Sequence, residues 1–295
     1  MHLTRLGFRK SLDKEHRDFE LLTRLEAAII RHAKGWERFV VDIPNLLRQS
    51  IDEVIDASRS RRFVFSELQS TEKAYVGTKV EILLMNHLGL DRGSVLDVLV
   101  DGIEVDIKNT IGDNWMIPHE ALGHPCVLIQ TNEKSAKCSF GLVVIQDDIL
   151  TRGGNQDGKK TLTATGKKSV HWMLRDCDYP RNFWEDVSRD AMRAITAPKG
   201  GTERLAVLFQ IYQRCPIHRD VLIALAHQKD AMKRLRKNGG ARDKLQHEGI
   251  AVLSGKYHGT LISRLGLKSC GPDEFISVKP SSAEEKEMLQ RAGEL

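Results

Sequence analysis

VLVDGIEVDIKNT occupies residues 98–110 and predicts a β-hairpin. Two runs of β-branched and other apolar residues flank Asp101-Gly102, a dipeptide that favours a two-residue hairpin turn. Because side chains alternate along a strand, Asp106 and Lys108 project from the same face of the second strand. Asp97 precedes the first strand, and the turn brings Asp106 back beside it. Charges within a sheet are costly without partners, so this cluster indicates a functional site.

The charged residues of this hairpin suit the hydrolysis of a phosphodiester. Asp97 and Asp106 supply the hard oxygen ligands that Mg²⁺ prefers. The ammonium group of Lys108 can orient or activate a water molecule and stabilise charge on a phosphate. Residues 70–90 are predicted to form a helix whose apolar stripe packs on the sheet. Glu81 on that helix can complete the metal site.

The order of these residues resembles the PD-(D/E)XK nuclease motif, in which an acid and a hairpin precede acid-x-Lys. Here Asp97 is followed, after eight intervening residues, by Asp106-Ile107-Lys108. Leu96 occupies the position of the motif's proline.

The alternative interpretation is a solvated strand face with an incidental Asp–Lys pair, because such surface pairs are common. The apolar flanks of the strands and the polar residue on the upstream helix favour the functional interpretation. Glu104 shares the strand face of Asp106 and Lys108. We expect Glu104 to lie in solvent toward the turn rather than to act as a ligand or base.

Composition restricts the class of protein. The chain has 295 residues, with 41% hydrophobic and 29% charged, which is enough for one large or two medium globular domains. A net charge of +5 fits an anionic partner. The five cysteines are widely spaced and form no CxxC pair, so neither a zinc site nor a disulfide framework is indicated. We expect a cytoplasmic protein, because no signal peptide and no apolar run of ~18 residues is visible.

The order of predicted elements indicates an α/β fold. Helical spacing of apolar residues predicts two or three helices within residues 14–60, and buried strands are predicted after the hairpin at PCVLIQTN and FGLVVIQ. The stretch 151–169, rich in Gly, Thr and Lys, is interpreted as a connector between domains or an exposed loop. We expect a mixed sheet flanked by helices in residues 1–165 and a second domain in residues 166–295.

A resemblance to a known family extends through much of the chain. The stretches STEKAYVGTKVEILL, VDIK, WMIPHEALGH and GLVVI, in that order, are similar to those of the NaeI family of restriction endonucleases. The stretch AHQKDAMKRLRKNGGARDKLQHEGIAVL resembles the second domain of the same family. The similarity covers roughly residues 45–255. It implies a PD-(D/E)XK endonuclease fold with an active site at Glu81, Asp97, Asp106 and Lys108.

The resemblance also implies a cofactor and partners. It implies a Mg²⁺-dependent type IIE enzyme that binds two copies of its site on double-stranded DNA, one cut and one acting as effector. Residues 166–295 would then form a helix-turn-helix or winged-helix-like DNA-binding domain. Cutting both strands of a palindrome calls for two symmetry-related active sites, so a homodimer is expected. The host would need a cognate DNA methyltransferase, a functional rather than a bound partner.

A basic segment lies in the C-terminal half of the chain. Residues 226–244 contain seven basic residues against two acids. Phosphate contacts are expected from six side chains and from two backbone amides: Lys233, Arg234, Arg236, Lys237, Arg242 and Lys244, with Gly239 and Gly240. A solvated helix face is the alternative. A second cluster, SRSRR at 58–62, is either a contact to the DNA being cut or an exposed basic turn.

Two other classes of protein remain open from the sequence. One is a nicking, repair or strand-passage nuclease on the same scaffold, which would share the catalytic residues and differ in its products. The other is a DNA-binding regulator without hydrolytic activity. The retained carboxylates argue against a regulator, because a protein that only binds phosphates has no use for acids beside them.

Overall fold

The protein forms two compact units in a computed structural model that describes residues 12–228 and 230–295. Of these residues, the N-terminal unit comprises 12–55 and 64–185, and the C-terminal unit comprises 56–63 and 186–295. The short stretch 56–63 therefore belongs to the C-terminal unit, although the chain on both sides of it belongs to the N-terminal unit.

Helices and strands are interspersed along the described chain. The helices are α1 (Phe19–His32), α2 (Trp36–Ile55), α3 (Ala57–Ser60), α4 (Ser70–Leu88), α5 (Ala164–Lys168), α6 (Arg189–Thr196), α7 (Gly201–Ile211), α8 (Arg219–Ala226), α9 (Ala241–His247), α10 (Gly255–Arg264) and α11 (Ala283–Arg291). The strands are β1 (Asp91–Arg92), β2 (Val98–Val100), β3 (Ile103–Thr110), β4 (Pro125–Asn132), β5 (Lys137–Val144), β6 (His171–Asp178), β7 (Ile217–His218), β8 (Ala251–Ser254) and β9 (Glu274–Val278). Among the described residues, no helix is both long and apolar enough to cross a membrane.

A six-stranded mixed sheet forms the centre of the N-terminal unit. Its strands follow the order β1-β2-β3-β4-β5-β6, and only the β3–β4 pair is parallel. The hairpin between β2 and β3 turns at Asp101 and Gly102, whose φ angles of 50° and 78° are both left-handed. Left-handed backbone at both positions is what a type I′ turn requires. The predicted mixed sheet flanked by helices and the predicted hairpin are confirmed.

Helix α4 carries the predicted apolar stripe onto the sheet. It packs against α2 and β3. Of the five apolar residues that the helical spacing predicts for the stripe, Leu83 is half-buried and the other four are buried: Val76, Val80, Leu84 and Leu88. The carboxylate of Glu72 accepts a 2.8 Å hydrogen bond from the Gln69 amide and so caps the helix start. At the other end, Gly89 with φ 61° ends the helix, a left-handed position that favours glycine. The caps set where α4 begins and ends, and the buried stripe sets which of its faces lies on the sheet.

The N-terminal unit continues beyond the boundary predicted at residue 165. Strand β6 pairs with β5 and completes the sheet. No strand is expected there from the sequence, because polar and charged residues interrupt its apolar ones. The imidazole of His171 at its start is buried and lies 2.7 Å from Glu26 Oε2 on α1, so a polar partner replaces apolar contact.

The stretch 151–169 lies within the N-terminal unit, not between the two units. Its backbone pairs with the rest of the unit through bridges between Ile117 and Lys160 and between Leu150 and Leu162. The side chain of Leu162 is buried in the core there. Most of residues 151–159 are exposed, as expected of a surface loop.

The C-terminal unit is mainly helical with a small antiparallel sheet. Its strand order is β7-β9-β8, and α7 precedes β7 in the chain. Apolar residues of β8, α10, β9 and α11 form a shared core that includes Leu253, Ile262, Ile276 and Leu289. The element order is therefore helix, strand, two helices, strand, helix, strand and helix from α7 onwards.

Candidate active site

The β2–β3 register brings the two predicted aspartates together. Val98 pairs with Val105, so continuing the antiparallel register by one residue sets Asp97 opposite Asp106. Opposed residues on one face of such a pair lie within contact distance. On the other face of β3, Val105 and Ile107 are fully buried in the core. The apolar face thus anchors the strand while the charged face forms the site.

Lys108 lies between the two carboxylates. Its Nζ donates hydrogen bonds to Asp106 Oδ1 at 2.6 Å and to Asp97 Oδ2 at 3.4 Å. Asp97 Oδ2 also accepts a 2.8 Å hydrogen bond from the backbone amide of Ile107. Burial alone would lower the pKa of Lys108, but the charge of Asp106 raises it above its usual value. The lysine is therefore a stable cation.

Glu81 belongs to the same electrostatic cluster. Burial, together with the charge of Asp97 and against the opposing effect of Lys108, raises the pKa of Glu81 to about 7. Burial likewise raises the pKa of Asp106 to about 6, against Lys108 and in the same direction as Asp97. Three carboxyl groups thus share one ammonium group, and the cluster carries more acid than one cation neutralises.

Cys126 is a neighbour that sequence analysis does not associate with the site. It lies opposite Asp106 in the parallel β3–β4 pair, and its Sγ is 3.8 Å from Asp106 Oδ2. Complete burial raises the pKa of this thiol well above its usual value, so it is a neutral donor rather than a nucleophile. Only the register between β3 and β4 reveals this neighbour.

The donors of this cluster are of the chemical type that a hard divalent cation prefers, although the described side chains are not gathered into a metal site. Carboxylate oxygens are the ligands of Mg²⁺, and the excess of acid over base favours a doubly charged ion here. In the described residues no three His, Cys, Asp or Glu side chains converge on one point closely enough to hold a metal. Lys108 Nζ, which bonds Asp106 and Asp97, lies in the centre of the cluster instead. Asp97, Asp106 and Glu81 are the residues that would hold the ion.

Glu104 lies near the turn as expected and is half-buried, but its carboxylate has partners that the sequence does not indicate. Its carboxylate is held by the loop of residues 93–96, with hydrogen bonds from backbone amides and from the Ser94 hydroxyl. These contacts, led by the Ser94 hydroxyl, lower the pKa of Glu104 to about 2. Alternation along the strand places Glu104 on the same face as Asp106 and Lys108, and this is predictable from the sequence. Its interaction with the loop of residues 93–96 becomes known only from the fold.

Two comparisons with known proteins bear on this arrangement. A family model described as restriction endonuclease NaeI matches residues 40–288. The type II restriction enzyme NaeI of Lentzea aerocolonigenes is 31% identical over 258 residues, which make up 84% of this chain and 80% of that enzyme. This chain belongs to the NaeI family of restriction endonucleases.

Membership of the NaeI family assigns the enzyme class. The chain is a type II site-specific deoxyribonuclease, a hydrolase that acts on duplex DNA. The match begins within α2 and ends within α11, so it includes α4, the hairpin and most of the C-terminal unit. The resemblance noted from the sequence is therefore confirmed.

The eight residues expected to contact DNA do not form one uniform basic face. Arg234 and Arg236 are exposed, and no ion pair is found for either one in the described part of the chain. Lys233 pairs with Asp230 at 3.1 Å on the surface. The cluster is therefore uneven in its available charge.

The other residues expected to contact DNA in this segment interact with the rest of the C-terminal unit. Lys237 pairs with Glu294 at 2.9 Å, and Lys244 pairs with Glu203. Arg242 is partly buried, and burial lowers its pKa. The Gly239 amide donates to the Asp243 carboxylate.

Gly240 is needed because the backbone packs closely around it, not because its amide has to be open to a phosphate. A Cβ atom at this position would lie 2.2 Å from the backbone oxygen of Arg236, which no real contact allows. The glycine therefore lets the chain fold back on itself just before α9. Its predicted role as a phosphate ligand stays a prediction.

The SRSRR cluster at 58–62 also lies in the C-terminal unit. Helix α3 packs against α8, and His227 Nδ1 forms a hydrogen bond to the Ser58 backbone oxygen. Arg59 is exposed and pairs with Asp56 at 3.5 Å. This basic segment precedes α4 in the chain, yet it packs with the helices that follow residue 186.

Proposed function

We propose that this NaeI family enzyme is a Mg²⁺-dependent endonuclease of the PD-(D/E)XK type that hydrolyses both strands of duplex DNA at a specific site. The observation that carries the proposal is the hairpin cluster. Lys108 Nζ lies within hydrogen-bonding distance of both Asp97 and Asp106 on one strand face. Carboxylates repel a phosphate unless a cation lies between them. A site that combines acids with one ammonium group is therefore better suited to cleaving a phosphodiester than to only binding a phosphate.

Each residue of the cluster has a distinct task in this proposal. Asp97 and Asp106 would hold the ion, and Glu81 would complete its set of ligands. Bound Mg²⁺ would supply Lewis-acid stabilisation of charge on the phosphate. Lys108 orients the attacking water and stabilises negative charge as a new bond forms to phosphorus and one ester bond breaks. Its raised pKa keeps it protonated and suits it to charge stabilisation.

Cutting both strands at a palindrome requires two copies of this site. We propose a homodimer with twofold symmetry, because each strand then meets an equivalent active site. A DNA methyltransferase of the same host would protect the host's own copies of the site. Both of these partners follow from the proposed reaction.

The C-terminal unit is proposed to bind a second copy of the DNA site as effector. Its element order and three-stranded antiparallel sheet support a winged-helix-like assignment. The α8–α9 connection, residues 227–240, is longer than the roughly three- or four-residue turn of a simple helix-turn-helix. This connection carries the exposed Arg234 and Arg236, which can contact phosphates.

The stretch 56–63 supports a link between effector binding and cleavage. It packs in the C-terminal unit through α3, whereas the chain continues from it into α4, which carries Glu81. A change in the packing of α3 on α8 can therefore be passed on along the chain toward the active site. The link is covalent and spans few residues.

Digestion of a plasmid of known sequence with purified protein tests the proposed function. Discrete linear fragments that require Mg²⁺ and disappear in EDTA are expected. Nicked circles would instead indicate a nicking or repair enzyme on the same scaffold. Supercoils left unchanged in the presence of Mg²⁺, with binding intact, would contradict the proposal and indicate a regulator.

A further inference from the structure

Glu104 gathers a short loop of backbone around its carboxylate. Oε1 accepts hydrogen bonds from the Ser94 amide at 2.8 Å, the Ser94 hydroxyl at 2.5 Å and the Val95 amide at 3.3 Å. Oε2 accepts one from the Leu96 amide at 3.0 Å. Three consecutive amides therefore converge on one side chain, and the last of them immediately precedes Asp97.

The loop is shaped to close on this carboxylate. A Cβ atom at Gly93 would lie 2.4 Å from Glu104 Oε2 and 2.3 Å from the Leu96 backbone oxygen, so only glycine fits at that position. The Gly93 amide also donates a 3.2 Å hydrogen bond to the Asp97 backbone oxygen. The turn thus closes across the residues that lead into Asp97.

Asp97 needs such support because it lies just outside the strand. Strand β2 begins at Val98, and the first ladder pair is Val98 with Val105. The side chain of Asp97 is held by the Ile107 amide, but its backbone depends on the preceding loop. Two residues of strand β3 therefore position Asp97. The Ile107 amide holds its side chain, and the Glu104 carboxylate holds the loop that leads into its backbone.

We propose that Glu104 is a positioning residue that holds the loop of residues 93–96 and thereby sets the carboxylate of Asp97 for a divalent cation. The inference rests on the proposed function, because it assumes that Asp97 is a metal ligand. Glu104 is not itself a ligand or a base, because donors from the loop already engage both of its oxygens. Removing a group that orients a ligand typically lowers metal affinity by ~10–100-fold.

The test compares Glu104→Ala and Glu104→Gln with Glu285→Ala. Glu285 is a matched control, because its carboxylate also accepts hydrogen bonds from a serine, the Ser281 amide and hydroxyl at 2.6 and 3.0 Å, but in the C-terminal unit. Three quantities are measured: the Mg²⁺ concentration that gives half-maximal cleavage of saturating DNA, the binding of Mn²⁺ alone by calorimetry, and the midpoint of thermal unfolding without metal.

Glu104→Ala should raise the half-maximal Mg²⁺ concentration by about tenfold or more and weaken Mn²⁺ binding in parallel. Its maximal rate at high Mg²⁺ should change less. Glu104→Gln should be intermediate, because its amide oxygen still accepts from one side of the loop while its NH₂ group faces donors. Glu285→Ala should leave both metal readouts unchanged, even if its unfolding midpoint falls.

Three outcomes would overturn the inference. If wild-type cleavage depends on Mg²⁺ and the half-maximal concentration is unchanged in Glu104→Ala, Glu104 does not position Asp97. If Glu104→Ala fails to fold, Glu104→Gln and Ser94→Ala carry the test, and unchanged Mg²⁺ dependence in both rejects the inference. Wild-type cleavage that persists in EDTA would instead reject the metal assignment in the proposed function, and the inference with it.

Discussion

The ammonium nitrogen of Lys108 lies 2.6 Å from Oδ1 of Asp106, and both side chains leave the same face of β3. Asp106 is only 3% exposed, so its charge needs a partner inside the protein. The lysine side chain is 22% exposed and therefore also reaches the solvent side of the cluster. This contact thus stabilises the charge of Asp106 within the sheet. It also holds the ammonium group of Lys108 where a phosphate would be attacked.

Replacing Lys108 with alanine should slow the cleavage step by about 10²-fold or more, because it removes stabilisation of charge in the transition state. Lys108→Arg should restore little of the rate, because a guanidinium group differs from an ammonium group in shape and hydration. Single-turnover cleavage at saturating Mg²⁺ measures the effect, with DNA binding as the control. A fully active Lys108→Ala enzyme would return the hairpin to the interpretation of an incidental surface pair.

Asp106→Asn and Asp97→Asn should each abolish Mg²⁺-dependent cleavage while leaving DNA binding largely intact. The reason is that an amide supplies one neutral oxygen where the ion needs a carboxylate. Asp147→Asn is the matched control, since Asp147 is an exposed acid of the same unit that pairs with Lys160. Cleavage gels and DNA binding in EDTA separate the two steps. Cleavage retained in either active-site variant would show that the metal site lies elsewhere.

The hairpin and its charged face are predictable because they depend on residues that are near in sequence. Asp101-Gly102 specifies the turn, and alternation along the strand puts Asp106 and Lys108 on one side. Glu81 is also within reach of such reasoning, because helical periodicity indicates which face of α4 packs on the sheet. Local patterns therefore suffice to assemble the candidate site.

Other features depend on contacts between distant parts of the chain and leave little local signal. Strand β6 contains a buried histidine whose partner, Glu26, is 145 residues away in the sequence. The neighbour Cys126 appears only once the register of β3 and β4 is known. The stretch 56–63 has the composition of a basic turn, and nothing local indicates that it packs against α8.

Arg48 and Glu133 form a buried ion pair whose disruption should destabilise the N-terminal unit. Their side chains are 9% and 7% exposed, and the NH1–Oε2 distance is 2.7 Å. Glu133→Gln should lower the free energy of unfolding by about 2 kcal/mol, because the buried guanidinium of Arg48 then keeps only the more exposed Asp52, at 2.7 Å, as an acidic partner. Arg48→Met combined with Glu133→Leu should lower it by less than the two single changes together.

Urea unfolding followed by tryptophan fluorescence measures this pair, because Trp36, Trp115, Trp172 and Trp184 all lie in the N-terminal unit. The exposed pair of Lys160 with Asp147 is the control, and its loss should change the free energy of unfolding by about 1 kcal/mol or less. Equal effects for the buried and exposed pairs would contradict the prediction.

The basic connection between α8 and α9 should carry the response to effector DNA. Replacing Lys233, Arg234 and Arg236 with alanine should weaken binding of the second DNA copy and reduce the salt dependence of that binding, because each phosphate contact releases counterions. Added DNA carrying the site should then no longer stimulate cleavage. Binding isotherms at several salt concentrations and cleavage of single-site DNA measure the two effects.

The matched control for this prediction replaces Lys237 and Lys244 with alanine, because these two lysines pair with Glu294 and Glu203 within the unit. We expect this variant to keep its response to added DNA, although it removes two positive charges against three in the triple variant. A triple variant with unchanged rate, unchanged salt dependence and unchanged stimulation would show that the segment is a solvated face.

The contact between His227 and Ser58 should couple effector binding to cleavage. His227 Nδ1 bonds the Ser58 backbone oxygen, and this contact fastens α3 to the end of α8. His227→Ala should leave cleavage without effector near the wild-type rate, because the catalytic residues are untouched. It should lower the stimulation by added site DNA by several-fold.

Arg59→Ala is the control variant on the same segment, since Arg59 is exposed and pairs with Asp56, three residues before it in the chain. If packing of α3 transmits the effect, Arg59→Ala should keep the stimulation. Loss of DNA binding in Arg59→Ala, with normal stimulation in His227→Ala, would show that the segment is a phosphate contact and not a link to the active site.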